Sequence, residues 1–495
     1  MELCVKRIDI STGDSPVVLI TRQAAITHDL HTSDRVLLSA NGRQVICAVN
    51  TTHTGFGLRN DQIGMFLETA NALGIADSCG VTILPVPKPE SINYIQKKML
   101  GKTLSKEELV IIVQDIVSAR LTQVELAFFV AACSAHSLSF DETVNLTRAI
   151  TDTGVKLDFG KIVIDKHCIG GVPGNRTSMI TVPIMASLGY IVPKTSSRAI
   201  TSPAGTADTM EIFAEVDLPV EKMKHVVKNV NGCLVWGGSI NLAPADDRII
   251  RVERPLALEI PGLMISSVLA KKSSVGSTHV LIDIPYGPGA KVLTIKHAKE
   301  LKTQFERIGK MLKLKVLVLL TPGDQPIGFG VGPLLEAYDV LSVLRNEESA
   351  PADLREKSIM IAGKLLEFVG GARKGEGEQK ARAELESGRA LRKFEQIIDA
   401  QGRHDLPPLA KYTYDILAHA DGTVLGIDNL AIAKIARLAG APVSKNAGVL
   451  LYIKKNTRVD KGNKLFTIHA ASEEKLANAV SYAMNSGAYT ISTRK

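Results

Sequence analysis

The sequence predicts an α/β protein with a mixed sheet, extended by a small helical domain, an N-terminal β-rich domain and a C-terminal α+β domain. Three observations carry the prediction. From about residue 160, apolar runs of strand length alternate with helical patterns, as in a parallel or mixed sheet covered by helices. Upstream, a hydroxyl residue followed three places later by glutamate recurs three times ahead of apolar helical faces. At both ends, short β-type runs alternate with Gly- and Asn-containing turns. A chain of 495 residues also exceeds what one hydrophobic core holds, so several domains are expected.

Residues 1–84 contain the strand candidates Val17 to Thr21, Val36 to Leu38, Val45 to Asn50 and Val81 to Leu84, which make a small β-rich domain. Pro85, Pro87 and Pro89 then disfavour helix and suit a stiff connector. Over 86–155, Ser105, Thr122 and Ser139 stand as helix caps, each paired with Glu108, Glu125 or Glu142 three residues on. Behind them, Leu109, Ile112, Val113 and Ile116, then Leu126, Phe129 and Val130, then Val144 and Ile150 give apolar helical faces.

The α/β domain is expected over 156–409. Lys161 to Ile164 reads as a strand running into a glycine-rich loop, Ser178 to Leu188 as the following helix, and Ile191 to Lys194 as a second strand. Val280 to Pro285 and Leu314 to Leu320 read as buried strands, with helices at 297–312 and 332–345. The charged segment 373–406 reads as an exposed helix with a solvated face, ended by Pro407-Pro408. Residues 410–495 hold two strands around the turn Asp460-Lys461-Gly462-Asn463, a closing α+β domain.

Composition narrows the function. Hydrophobic residues make up 45% and charged residues 22%, an ordinary globular balance. The formal charge of +8 comes from dispersed lysines and arginines and only 4% of residues are aromatic, so phosphate-bearing small molecules fit it and no nucleic-acid partner is expected. Six cysteines lie far apart without a C-x-x-C pair, which suits a reducing, cytoplasmic setting. Neither an apolar leader nor an eighteen-residue apolar run occurs, so secretion and membrane spanning are not expected.

The chemistry concentrates in Asp165-Lys166-His167-Cys168-Ile169-Gly170-Gly171-Val172-Pro173-Gly174-Asn175-Arg176-Thr177-Ser178. Gly170, Gly171 and Gly174 permit close backbone approach, and loop amides with a helix start can cradle an oxyanion. A structural glycine turn is the competing reading. The run is neither a P-loop nor a dinucleotide fingerprint, so no ATP or NAD is expected. A second hydroxyl-rich turn, Lys194 to Asp208, offers Ser196 and Thr206 to the same anion, with Arg198 either a partner of Asp208 or a charge for the anion. Ser267 and Lys271 are one helical turn apart, so one face can present a hydroxyl and an ammonium to a planar carbonyl-bearing ligand. His167 can donate a proton or hydrogen bond to a leaving group, while Cys168 lacks a base and orienter that would make it a nucleophile. The histidines are scattered and Asp246 with Asp247 makes no site, so no metal and no cofactor are expected.

With Lys194 through Glu211, Cys233-Leu234-Val235-Trp236-Gly237-Gly238, Leu242 to Asp247 and Gly276-Ser277-Thr278-His279-Val280, this run resembles the thymidine and pyrimidine-nucleoside phosphorylase family. The resemblance covers nearly the whole chain and is specific to the long branch that includes archaeal AMP phosphorylases and bacterial proteins named putative thymidine phosphorylases. It implies phosphorolysis, in which inorganic phosphate attacks the anomeric carbon of a nucleoside or nucleoside monophosphate and the base leaves. By the family motif Lys166, Cys168, Ser178, Ser196 and Thr206 would bind phosphate with the amides of Gly170 and Gly171. Cys168 replaces the serine of the shorter enzymes, and Ser178 is displaced by one extra loop residue. His167, Ser267, Lys271 and Arg251, or Arg248 in its place, would face the base, with His167 or Lys271 assisting its departure. Asp208 would be the acid for a purine.

Lys166 in Asp-Lys-His is similar to the pyrimidine enzymes, so thymidine plus phosphate giving thymine and 2-deoxyribose 1-phosphate is the expected reaction. The alternative is AMP phosphorolysis to adenine and ribose 1,5-bisphosphate, with Arg176 or Lys272 holding the 5′-phosphate. A non-catalytic phosphate- or nucleic-acid-binding protein is the alternative of another class. The resemblance further implies a homodimer formed through helices within 106–130, and a helical domain to which roughly 240–275 contributes.

Overall fold

The computed structural model describes residues 2–13, 16–53, 57–160, 162–199, 202–253, 255 and 258–493. Lys161 of the expected first α/β strand, and Ile200 and Thr201 of the second turn, lie outside them. The chain divides into two compact units, Met1–Thr153 with Ala243–Ser267, and Gly154–Leu242 with Val268–Lys495.

In the first unit the N-terminal strands close into a barrel in the order Glu2–Arg7, Gln62–Met65, Val17–Thr21, Arg43–Thr52, Arg35–Ala40, Gly80–Pro85. Alternation fits the closure: Glu2–Arg7 buries Leu3 and Val5 while Glu2, Cys4 and Lys6 lie on the opposite, less buried face, and Glu2–Cys4 pairs antiparallel with Gly80–Thr82 to close the barrel. Glu2–Arg7 and Gln62–Met65 were not legible as strands, being short and broken by polar residues.

The same unit carries the helices Ser91–Met99, Lys106–Val117, Gln123–Ala135, Phe140–Thr153 and Pro244–Glu253. All three expected capping pairs form. Ser105 and Glu108, and Thr122 and Glu125, exchange side-chain and backbone bonds, and Ser139 N donates to Glu142 while Glu142 N donates to Ser139 Oγ. Arg35, from the barrel, pairs with Glu125 and donates to Arg120 O at 3.2 Å, joining barrel and helices through one buried guanidinium.

In the second unit, Lys315–Pro322, His279–Tyr286 and Ile164–Cys168 form a parallel sheet in that order, and Val192–Ser196 pairs in parallel with Gly232–Trp236. A parallel bridge between Val163 and Ile191 aligns the two groups. The first strand is Ile164–Cys168 rather than the expected Lys161 to Ile164, so Asp165 to Cys168 belong to the strand and not to the loop. The reason is that this strand is covered on both faces, so its charged residues are accommodated by buried partners rather than by solvent.

The segment 373–406 also differs from expectation. It forms Gly377–Glu386 and Arg389–Gln401, and their Ala381, Leu385, Ala390, Phe394, Ile397 and Ile398 join the main core, so one face is packed and only the other solvated. The C-terminal part holds a four-stranded sheet, Gly330–Val331, Gly448–Leu451, Lys464–Ala470 and Tyr412–Leu417, and a three-stranded one, Arg458–Val459, Gly422–Ile427 and Tyr489–Thr493, with helices Asn429–Ala439 and Glu473–Asn485.

Candidate active site

The strand Ile164–Cys168 sorts the chemical motif by its pleat: successive side chains point to opposite faces, so Lys166 and Cys168 share one face while Asp165 and His167 share the other. Two polar clusters result.

On the first face Lys166 is 2% exposed, its Nζ donating to Thr177 Oγ1 at 2.7 Å and standing 3.9 Å from Asp283 Oδ2. Asp283 is opposite Cys168 in the strand register and takes Lys357 Nζ at 3.1 Å and the Thr321 hydroxyl at 2.6 Å. Asn175 Nδ2 lies 3.3 Å from Cys168 Sγ and 3.5 Å from Asp283 Oδ2, and its Oδ1 accepts from Thr177 at 3.0 Å. Burial pushes the Lys166 ammonium below its ordinary pKa, and burial followed by Asp283 pushes the Cys168 thiol up against the opposing pull of Lys166 and Lys357. Burial would raise Asp283 too, but Lys357 and Lys166 outweigh it and hold it below the usual carboxylate value. Cys168 therefore stays a thiol that receives a hydrogen bond, which is no environment for a nucleophile.

On the second face Asp165 is fully buried, 2.7 Å from Lys272 Nζ and 3.9 Å from Lys194 Nζ, and accepts from Lys166 N at 2.7 Å. Desolvation and then Lys272, Lys194, Lys166 and Lys271 drive His167 well below the usual imidazole value, so it is neutral at neutral pH and has one N–H to donate. Burial and Lys272 bring Lys194 down to about 7.

Gly170, Gly171 and Gly174 have φ of 97°, 90° and 72°, a region that favours glycine. A Cβ on Gly171 would collide with Lys291 N, and one on Gly174 with Ile327 O, so these two are required by chain-on-chain packing. Gly170 has room, its hypothetical Cβ meeting only Lys291 Cδ and Cε at 3.9 Å. The structural-turn reading thus accounts for Gly171 and Gly174 without an anion.

Arg176 ties the two sequence-predicted loops together. It pairs with Glu336, donates to Ala204 O at 2.6 Å, and reaches Thr206 Oγ1 at 3.4 Å. Ser178 is 5% exposed at the second residue of the helix Thr177–Ser187, within the positive end of its dipole. The Ser196 hydroxyl donates to Val235 O at 3.2 Å. Arg198 belongs to Glu211, at 2.7 and 2.8 Å, and to Asp208 at 3.4 Å, and is not presented to an anion.

Several of the expected site residues have partners of their own. Asp208 accepts from Ala199 N at 2.7 Å and Gly205 N at 2.8 Å, so it organises the second loop. Arg176 and Lys272, considered for a 5′-phosphate, are each committed to a buried carboxylate, Glu336 and Asp165. Arg248 donates to Ile116 O at 2.8 Å within the first unit, and Arg251 is exposed on the same helix Pro244–Glu253. In that unit Ser267 Oγ donates to the buried Asp246 at 2.8 Å. Lys271 follows one turn later on the helix Pro261–Ser274, half-buried, in the second unit.

Asp283, Lys357, Thr321, Asn175 and Thr177 had no assigned role in the sequence reading. Asp283 was detectable, since a lone carboxylate inside the apolar run Val280 to Pro285 demands a buried partner. Lys357 carried no such signal. Among the described residues no cluster of three or more His, Cys, Asp or Glu could hold a metal, and no helix is long and apolar enough to cross a membrane.

A parallel sheet ending in a buried cationic cluster beside a glycine loop and a helix start is an α/β arrangement suited to an oxyanion. Residues 160–391 match the family model described as "Glycosyl transferase family, a/b domain", 92–154 its helical bundle domain, and 423–490 the "Pyrimidine nucleoside phosphorylase C-terminal domain". A Polaromonas protein named "Putative thymidine phosphorylase" is 44% identical over 97% of this chain and 95% of its own. One of the same name from Rhodopseudomonas palustris is 44% identical over 99% and 96%. The chain belongs to the glycosyl transferase family 3 and pyrimidine-nucleoside phosphorylase family. The crystal structure of anthranilate phosphoribosyltransferase from Thermus thermophilus matches in fold, with a TM-score of 0.53 and 19% identity over 62% of this chain and 98% of that one.

Proposed function

We propose that the protein phosphorolyses a pyrimidine nucleoside, converting thymidine and phosphate to thymine and 2-deoxyribose 1-phosphate. The observation that carries this reading is the paired arrangement on one strand: Lys166 in a buried cationic cluster on one face, and neutral His167 amid lysines on the other. Phosphate is held by Lys166, the Cys168 region, Gly170 and the helix start at Ser178, with Thr206 from the second loop. A phosphate oxygen forms the bond to the anomeric carbon as the bond to the base nitrogen breaks, and the electron pair leaves with the base. His167 and Lys271 donate hydrogen bonds to the carbonyl oxygens on which that charge spreads. A neutral imidazole suits a pyrimidine, which needs its carbonyl charge stabilised and not a ring nitrogen protonated.

The engagement of Arg176 with Glu336 and of Lys272 with Asp165 favours a nucleoside over AMP, because neither cation is spare for a 5′-phosphate. The test is to incubate the purified protein with phosphate and, separately, thymidine, uridine, cytidine and AMP, and to quantify free base by chromatography. Release from thymidine or uridine is expected. Release from AMP alone would overturn the pyrimidine assignment, and none from any would favour a binding protein without catalysis. The same reading includes a homodimer through the helices within 106–130, where Val124 and Phe128 are 65% and 49% exposed.

A further inference from the structure

We propose that Lys357 is a charge-balancing, positioning residue of the phosphate site: it occupies the near side of Asp283, so that Lys166 has no carboxylate to itself and the cluster carries net positive charge to meet an incoming phosphate. The identity of the anion rests on the phosphorolysis reading. Lys357 arrives from the helix Ala352–Phe368, with its side chain 10% exposed and its Nζ 3.1 Å from Asp283 Oδ2, against 3.9 Å for Lys166. Thr321 locks this preference, accepting from Lys357 at 3.0 Å and donating to the other Asp283 oxygen at 2.6 Å.

Two ammonium groups share one buried carboxylate, and the other side chains of the cluster, Cys168, Asn175 and Thr177, are uncharged hydrogen-bonding groups. Arg176 beside them is matched by Glu336. The cluster therefore holds one surplus positive charge in a poorly solvated place, and an oxyanion completes its balance. Without Lys357, Asp283 would turn its charge on Lys166 and the surplus would vanish. Lys357 acts through Asp283 and makes no claim on the reacting atoms.

Three proteins test this: the unmutated chain, Lys357→Gln, and Lys357→Gln combined with Asp283→Asn, which removes one charge of each sign and restores the surplus. Inorganic phosphate binding is measured by isothermal titration calorimetry, and phosphate and nucleoside KM by steady-state kinetics. Lys357→Gln is expected to weaken phosphate binding and raise phosphate KM about tenfold with nucleoside KM changed less than about twofold. The double variant is expected to recover phosphate affinity to within about threefold of the unmutated chain. Unchanged phosphate affinity in the single variant, or a double variant that binds as poorly as the single or not at all, overturns the role of Lys357. Should the single variant fail to fold, the double variant alone decides by binding phosphate or not. An unmutated chain that binds no phosphate overturns the phosphorolysis reading together with this inference, whereas normal phosphate binding that ignores Lys357 overturns only the inference.

Discussion

At the scale of residues, alternation along one strand separates two jobs that the sequence lists consecutively. Lys166 is buried and its cationic form is disfavoured by desolvation, so its retention there needs an anion to make use of it. Lys166→Ala should lower kcat/KM for phosphorolysis by about 100-fold or more while circular dichroism stays unchanged; turnover near that of the unmutated chain would remove it from the site. Lys194 contrasts with it. Asp165 already has Lys272 at 2.7 Å, so Lys194 at 3.9 Å is the second cation on one carboxylate, and burial with Lys272 lowers it to about 7. Because the unfolded lysine keeps its ordinary value of 10.5, folding at neutral pH disfavours its proton. Lys194→Met should therefore raise the thermal midpoint at pH 7, by roughly 1–3 kcal/mol in stability, and the gain should shrink as pH rises towards 10. A lower midpoint would mean the lysine is held charged and needed.

At the scale of elements, legibility followed sequence distance. Capping pairs are local, three residues apart, and all three were readable as motifs and formed as read. What the third pair does beyond capping was not readable. Glu142 is 1% exposed and takes Lys98 at 2.9 and 3.0 Å and Leu104 N at 2.9 Å, partners 44 and 38 residues away. Ser105→Ala should cost about 1 kcal/mol, the ordinary loss of a cap. Glu142→Ala should cost about 3–5 kcal/mol because it strands the buried Lys98 ammonium. Chemical denaturation monitored in the helical unit checks the ratio; equal losses would mean that the buried pair contributes nothing beyond the cap. The candidate site divides the same way. The glycines and Lys166 stood out in a single run, whereas Asp283 and Lys357 are brought to it by strand pairing and helix packing more than a hundred residues downstream. Lys357 in particular looks like any surface lysine of a charged helix. The two packed faces of Gly377–Glu386 and Arg389–Gln401 escaped notice for a related reason, since their high charge density masks a narrow apolar stripe.

At the scale of the whole molecule, the second unit concentrates groups whose charged forms are disfavoured by burial, and this makes its stability depend on pH in a predictable direction. His167, His279 and His469 are all below the usual 6.5, each mainly through desolvation. In the unfolded chain these imidazoles gain protons as pH falls past 6.5, while in the fold they resist, so the unfolded state binds more protons and stability drops with falling pH. Asp339 opposes them. Burial raises it to about 7 against two amide hydrogen bonds, from Phe329 N and Gly330 N at 2.7 Å each, so between 3.8 and 7 it is the fold that holds the extra proton. The direction set by His167, which lies well below the usual value, is shared by His279 and His469, so the second unit is expected to lose stability as pH falls from about 6.5 to 5. Depressed carboxylates such as Glu142 and Glu125 in the first unit, with ordinary values of 4.5, lose their contribution only at lower pH. Hydrogen exchange followed by mass spectrometry at pH-corrected rates should show the Ile164–Cys168 and His279–Tyr286 strands losing protection first, with the helical segments of the first unit holding on to below pH 5. Asp339→Asn should steepen this loss, since it removes a group whose proton the fold holds as pH falls. A uniform loss across both units, or a shallower profile in Asp339→Asn, would show that these buried groups do not set the acid limit of the fold.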